Sequence, residues 1–252
     1  MSNVLIQRAL TFLDGAPAEM NQIARPDHPL ISFTFDDAPR SAYTLGREIL
    51  ERHGARGTYY IAMGLVSRKQ YELGEVLRPE EVRELVHAGH EIGCHSYSHL
   101  AFGSHSEVRI ALDLWRSRRA VESVCGHIPR QFAFPFGEVN PAGLRLVIRS
   151  YESSRGIFGG INLGAVPPHL LRANRLYEQV SLEANLELIR ANVQKRGWLI
   201  FYTHDVSATP SEFGCTPAYL EKVVATARDS GALVLPVGKA IRACGAVLVK
   251  GT

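Results

Sequence analysis

What most constrains this chain is its rhythm. Short apolar runs rich in β-branched and aromatic residues alternate with longer stretches of helical periodicity. Leu30 to Phe35 reads as a buried strand, and Ser41 to His53, with Tyr43, Leu45, Ile49 and Leu50 at helical spacing, reads as the helix that follows it. Thr58 to Ala62 is the next strand, Pro79 to Ala88 the next helix, and His90 to Cys94 a strand again. Ser106 to Val124 has the spacing of a long helix, with Val108, Ala111, Leu112, Trp115 and Val121 as its apolar stripe and Trp115 as a core residue. Gln131 to Phe134 is a strand and Pro141 to Arg149 a helix. Tyr151 to Leu176, rich in Gly and Pro, predicts one or two short strands and a long functional loop. Ser181 to Arg196 is a helix with Ser181 as its N-cap, and Trp198 to Thr203 a strongly apolar strand. Thr216 caps a helix running to Asp229, and Ala232 to Leu235 and Gly238 to Cys244 close the series.

Strands that alternate with helices imply βαβ units and a parallel sheet. The expected class is therefore α/β, as a distorted (β/α) barrel with about seven parallel strands. A doubly wound open sheet is the competing architecture, but no GxGxxG follows the first strand. At 252 residues the chain is read as one catalytic domain over 1–252, long enough to bury its core without staples.

Charge narrows the partners. Lys plus Arg number 28 and Asp plus Glu 25, a net charge of +3, which excludes a polyanion-coating protein and predicts no nucleic-acid partner. No apolar run approaches the roughly 18 residues of a spanning helix, so no stable membrane insertion is expected. Met1 to Met20 carries Gln7, Arg8 and Asp14 among its apolar residues and is read as no signal peptide. Cys94, Cys125, Cys215 and Cys244 form no CxxC pair. A reduced, cytoplasmic protein is the expectation; two disulfides are the alternative.

In parallel α/β folds, sites form beyond the carboxyl ends of the strands. Three apolar strands here run straight into acids or imidazoles. The first ends in Asp36 and Asp37, the strand at 90–94 in His95-Ser96-Tyr97-Ser98-His99, and that at 198–203 in His204 and Asp205. Two histidines four apart face one way if the chain makes a helical turn there, and with one carboxylate they form a metal site with open positions. Such a set reads as a hydrolase: Asp37, His95 and His99 on a metal, Asp36 as base, His204 as acid. Taken singly, Asp36-Asp37 could be a turn or cap and each histidine a hydrogen-bonded loop residue. There is no HExxH, GxSxG or GxxxxGK[ST], so serine-esterase and phosphate-loop chemistry have no anchor. His28, His53, His87, His90, His105, His127 and His169 have no second ligand at useful spacing.

Thr34-Phe35-Asp36-Asp37, His95-Ser96-Tyr97-Ser98-His99 and Phe132-Ala133-Phe134-Pro135-Phe136-Gly137 resemble the first three motifs of the polysaccharide deacetylases, the NodB-type carbohydrate esterase family four. Leu199 to Asp205 resembles the last motif, and the similarity runs over about 30–240. The resemblance implies a distorted barrel that removes N-acetyl groups from amino-sugar saccharides. It implies one divalent metal, zinc first and cobalt, nickel or manganese as substitutes, on Asp37, His95 and His99. It implies Asp36 as base, His204 as acid and the Phe136 N–H as an oxyanion donor. Pro135, Phe136, Tyr97 and Arg172 are expected to bind substrate, with Phe102 as a further aromatic platform.

Three departures stand out. Ala38 replaces the usual Gly, no Asp-Trp motif is visible, and Ala133 stands where the family carries an Arg. Arg155, Arg172 and Arg175 are candidates to replace that cation, and Glu152 and Asp205 to partner His204. Two other functions stay open: hydrolysis of a non-sugar amide or formamide on the same fold, and a non-catalytic carbohydrate-binding protein. A homodimer is compatible with the short helices and open rim.

Overall fold

β2 (Leu30–Asp37) is buried along all of its length, because the chain wraps it on both faces and both edges. In the computed structural model, residues 21–248 are described, except 38, 67, 69–71 and 165. The readings made on Met1 to Met20 and on Ala38 lie outside the described residues.

In chain order, β1 (Asn21–Ile23) precedes β2, and a turn at Ala42–Gly46 leads into α1 (Arg47–Arg52). Then come β3 (Thr58–Ile61), α2 (Pro79–His87), β4 (Glu91–Cys94), α3 (Glu107–Cys125), β5 (Gln131–Ala133), α4 (Pro141–Ser150) and β6 (Ser153–Arg155). β7 (Asn174–Arg175), α5 (Leu182–Lys195), β8 (Trp198–Thr203), α6 (Pro217–Asp229), β9 (Leu233–Val234), α7 (Val237–Cys244) and β10 (Ala246–Leu248) complete it. The main sheet runs β6-β5-β4-β3-β2-β8-β7, with β9 beside the start of β2. Every pair in it is parallel. Seven parallel strands thus curl into a distorted (β/α) barrel. The stretch 168–171 bonds to β6, through Ser154 N to Pro168 O and Leu171 N to Ser154 O, and leads straight into β7. The barrel therefore comes round without a continuous final ladder. β1 and β10 pair antiparallel outside it.

The period of two along β2 sorts its side chains. Ile31, Phe33 and Phe35 join Leu199 and Phe201 in the core beneath the helices. Ser32, Thr34 and Asp36 point the other way: Trp198 Nε1 donates to Ser32 Oγ at 3.0 Å, and Arg155 reaches both Thr34 and Asp36. One face of the central strand is thus apolar, and the other is a polar column rising to the carboxyl rim. Crowding within the barrel shows at Gly93, where a Cβ would lie 2.5 Å from the Tyr60 ring.

Helix α3 corrects the sequence reading. Its buried face is Ile110, Asp113, Leu114, Ser117 and Val121, and Trp115 is 60% exposed with Val108 and Leu112 beside it. Polar tertiary contacts choose the inward face. Asp113 accepts from the Tyr97 and Ser98 amides, and Ser117 donates to Ser96 O and bonds Cys94 Sγ. Ser181 begins α5 as expected but makes no side-chain capping bond. Thr216 does cap α6, accepting from Tyr219 N. All four cysteines are free thiols. Among the described residues no helix is long and apolar enough to cross a membrane.

Candidate active site

Asp37, His95 and His99 converge at the carboxyl rim, their ligand atoms all within 4.8 Å of one another. β2 and β4 are separated only by β3, so both strand ends open onto one cleft. Each ligand needs a backbone turn to reach it. Asp37 has φ 69°, Ser96 φ 61° and His99 φ 54°, the left-handed region that non-glycine residues rarely occupy. The histidine segment is therefore not the helical turn that its spacing suggested. It is a loop whose amides at Tyr97 and Ser98 are held by Asp113, with Leu100 N donating to Ser96 Oγ.

The electrostatics fit a cation. His95 Nδ1 lies 2.8 Å from Ala133 O, so Nδ1 carries the proton and Nε2 presents a lone pair. Asp37 Oδ1 is 3.4 Å from His95 Nε2 and 3.0 Å from His99 Nε2, yet it is buried with no hydrogen-bond partner among the described residues. Burial alone would raise the Asp37 carboxyl, but the two imidazoles outweigh it and hold it well below the usual carboxylate range. A buried, ionised oxygen facing two imidazole nitrogens without a hydrogen bond is a donor set for a divalent ion: two nitrogens and one oxygen, with positions left open.

Asp36, the last residue of the polar column, is buried and ion-paired to Arg155. Across the cleft, His204 Nε2 is 4.0 Å from Asp37 Oδ2. Its Nδ1 is 3.2 Å from Phe213 O, which also accepts the His204 amide. That carbonyl, not Glu152 or Asp205, sets the His204 tautomer and leaves Nε2 toward the cleft. Glu152 lies just before β6, at the opposite end of the barrel, paired with Arg130. Asp205 is turned away, accepting from Ser211 N at 3.0 Å and from its hydroxyl. It acts at one remove by shaping the loop that presents Phe213.

These groups line a cleft of ≈ 530 Å³ with Phe136, Ile157, Arg175, Tyr177, Tyr202 and Phe213. Phe136 is 59% exposed at its edge, with its ring 4.4 Å from that of His99, and φ 57° turns it outward. The other expected substrate contacts are elsewhere. Tyr97 packs against the Arg116 guanidinium at 4.3 Å, outside the cleft, because its amide is tied to α3. Arg172 donates to Gly159 O and lies outside the cleft; Arg175, on β7, reaches it instead. Pro135 is buried under the turn, and Phe102 is core, packed on Phe132 and Phe134. Tyr177, Tyr202, Phe213 and Arg175 were not read as a lining set, since only their arrival at one rim identifies them.

The fold and the cleft define a class, an α/β barrel with an Asp-His-His cluster at its carboxyl rim that could hold a cation. The chain belongs to the polysaccharide deacetylase family, whose model matches residues 24–151, just over half of it. The peptidoglycan-N-acetylglucosamine deacetylase PgdA of Listeria monocytogenes is 28% identical over 111 residues, 44% of this chain and 22% of that protein. The chain thus spans about a fifth of that relative's length. The family 4 acetyl xylan esterase from Clostridium thermocellum, solved with a cobalt ion, superposes with a TM-score of 0.60 at 21% identity, covering 83% of this chain and 89% of that one. A family 4 pseudoenzyme from Bacillus anthracis superposes equally well, with a TM-score of 0.60 at 16% identity over 86% of this chain and 66% of that one. The fold is shared by proteins of both kinds, so activity must be argued from the site.

Proposed function

We propose that this chain is a metal-dependent hydrolase that removes N-acetyl groups from an amino-sugar-containing saccharide. One observation carries the reading: the unpaired, buried Asp37 Oδ1 beside two imidazoles, flanked by a second carboxylate and a third imidazole. A pure binding site has no use for an acid and a base on either side of a cation. Asp37, His95 and His99 would hold the ion, zinc by its nitrogen-rich donor set, with cobalt, nickel or manganese as substitutes. A bound ion would supply Lewis acidity toward an amide carbonyl and lower the pKa of a water.

The chain's own groups do the rest. Asp36 takes the proton from the attacking water. His204, with Nδ1–H committed to Phe213 O, moves a proton through Nε2 to the departing amine. The Phe136 backbone N–H, in the turn whose ring packs against His99, would donate to the developing oxyanion. The aromatic walls, Phe136, Tyr177 and Phe213, suit the apolar faces of a sugar ring. The curated relative named for peptidoglycan N-acetylglucosamine supports an N-acetylglucosamine-containing glycan as substrate. Four free thiols support a reducing, cytoplasmic location, which cell fractionation tests. A homodimer would cover the exposed Val108, Leu112 and Trp115 stripe; sedimentation equilibrium reads it directly.

The test is acetate release from N-acetylglucosamine oligomers by protein stripped with chelator and reloaded with zinc, cobalt or nickel. Acetate that requires the metal supports the proposal. Stoichiometric metal with no acetate from any saccharide or small amide overturns it in favour of a binding role.

A further inference from the structure

Arg155 carries its charge in the interior of the barrel, with its side chain 1% exposed. It ends β6, two strands from β4 and far around the sheet from β2, yet its guanidinium crosses the interior to the other side. Nη2 donates to Asp36 Oδ1 and, at 3.1 Å, to Thr34 Oγ1. The guanidinium lies over two tyrosine rings, 4.6 Å from the centroid of Tyr60 and 5.2 Å from that of Tyr202. Nη1 reaches Gly156 O. Thr34 is itself anchored, donating to Phe201 O at 2.9 Å. A long, flexible side chain is thereby reduced to one rotamer with one charged target.

We infer that Arg155 is the positioning residue of Asp36. It fixes which Asp36 oxygen is occupied and leaves the other free to face the cleft. The backbone register gives the arrangement a second consequence. Ala133 and Arg155 are directly paired partners on β5 and β6, and Ala133 O holds His95 in its ligand tautomer. One cross-strand pair therefore orients the base through the side chain of one residue and a cation ligand through the backbone of the other. The small side chain at 133 leaves the interior free for the guanidinium arriving from its neighbour.

This rests on the reading of Asp36 as base, and a double-mutant cycle separates the two. Arg155→Met, close to the original in volume, is expected to lower kcat about a hundredfold, with KM changed less than about threefold and stoichiometric zinc retained. Ala133→Arg alone is expected to lower kcat by crowding a second cation into the column. The double variant Ala133→Arg/Arg155→Met is expected to recover most of the lost kcat. Recovery in the double variant is a result that a merely structural arginine on β6 would not give. Wild-type kcat in Arg155→Met overturns the inference, as does a folded, zinc-loaded double variant no better than Arg155→Met. If Arg155→Met fails to fold, the double variant against Ala133→Arg alone decides the same question. If Asp36→Ala itself keeps full turnover, the base reading has failed; if it is dead while Arg155→Met is fully active, only the present inference has.

Discussion

The two ends of the barrel hold comparable cavities with contrasting chemistry. The one at the amino ends of the strands is the larger, ≈ 710 Å³, lined by Glu91, Arg118, His127, Arg130, Glu152 and Arg242 among others. The cleft at the carboxyl ends is smaller, ≈ 530 Å³. Both contain carboxylates, imidazole and guanidinium. At the amino end most of those groups are satisfied: Arg130 pairs with Glu152, Arg118 donates to Ser150 O, His127 bonds Cys125 O, and Glu91 accepts from Thr58 and Gly238. At the carboxyl end an ionised oxygen stays unpaired and three imidazoles gather around it. Volume does not mark a site; converging groups whose hydrogen-bonding capacity is left open do.

That contrast can be broken most sharply at the ligands. His95→Ala and Asp37→Ala are expected to lose both bound zinc and all measurable acetate release, read by metal analysis and by turnover. Full activity in either would place the chemistry elsewhere. Asp36→Ala is expected to keep its zinc and lose about 10²–10⁴ in kcat; full turnover would remove Asp36 as the base. His204→Ala should fall about a hundredfold on an N-acetyl sugar and far less on an activated aryl acetate, whose leaving group needs no proton. Equal losses on both substrates would argue that His204 orients rather than protonates.

A smaller effect sharpens the comparison from outside the cleft. His90, just ahead of β4 at its amino end, accepts from Gly57 N at Nδ1 and faces Glu51 through Nε2. Burial, opposed by Glu51, pushes its pKa from 6.5 down to about 4. Burial alone does the same to His169. Both are neutral in the fold and become charged on unfolding in acid. Their contribution is fully present above pH 6.5 and is lost as pH falls from 6.5 through about 4. For each it amounts to about 3 kcal/mol at most. Urea midpoints should therefore drop between pH 7 and pH 5, and His90→Gln should flatten that slope; an unchanged slope would assign acid sensitivity to other groups. The smallest effect is expected at the exposed Arg130–Glu152 pair, where Glu152→Ala should change stability by within about 0.5 kcal/mol and leave turnover unchanged.

How much of this was legible in the sequence depended on how local the deciding contact is. Strand and helix positions emerged from periodicity because the buried face of each element repeats along it. The candidate ligand set emerged because Asp37 closes one strand and His95 and His99 lie in the segment that follows another, and parallel strands deliver their ends to one rim. Helix α3 misled because its inward face is chosen by Asp113 and Ser117 reaching the histidine loop, so Trp115 points outward. Tyr97 was near the ligands in sequence but turned out of the cleft by that same tether. Arg155 could be named only as one of three arginines, since its contact with Asp36 spans 119 positions.

By itself, then, the sequence determined the parallel α/β class and pointed to Asp37, His95 and His99 as the candidate cation ligands, with Asp36 and His204 beside them. Those follow from patterns of period two and 3.6 and from residues adjacent to strand ends. The tertiary structure alone decided which arginine meets Asp36, which carbonyl orients His204, and which aromatic rings wall the cleft. These contacts join strands distant in sequence, and the curl of the sheet, not the spacing of residues along the chain, sets the distances between them.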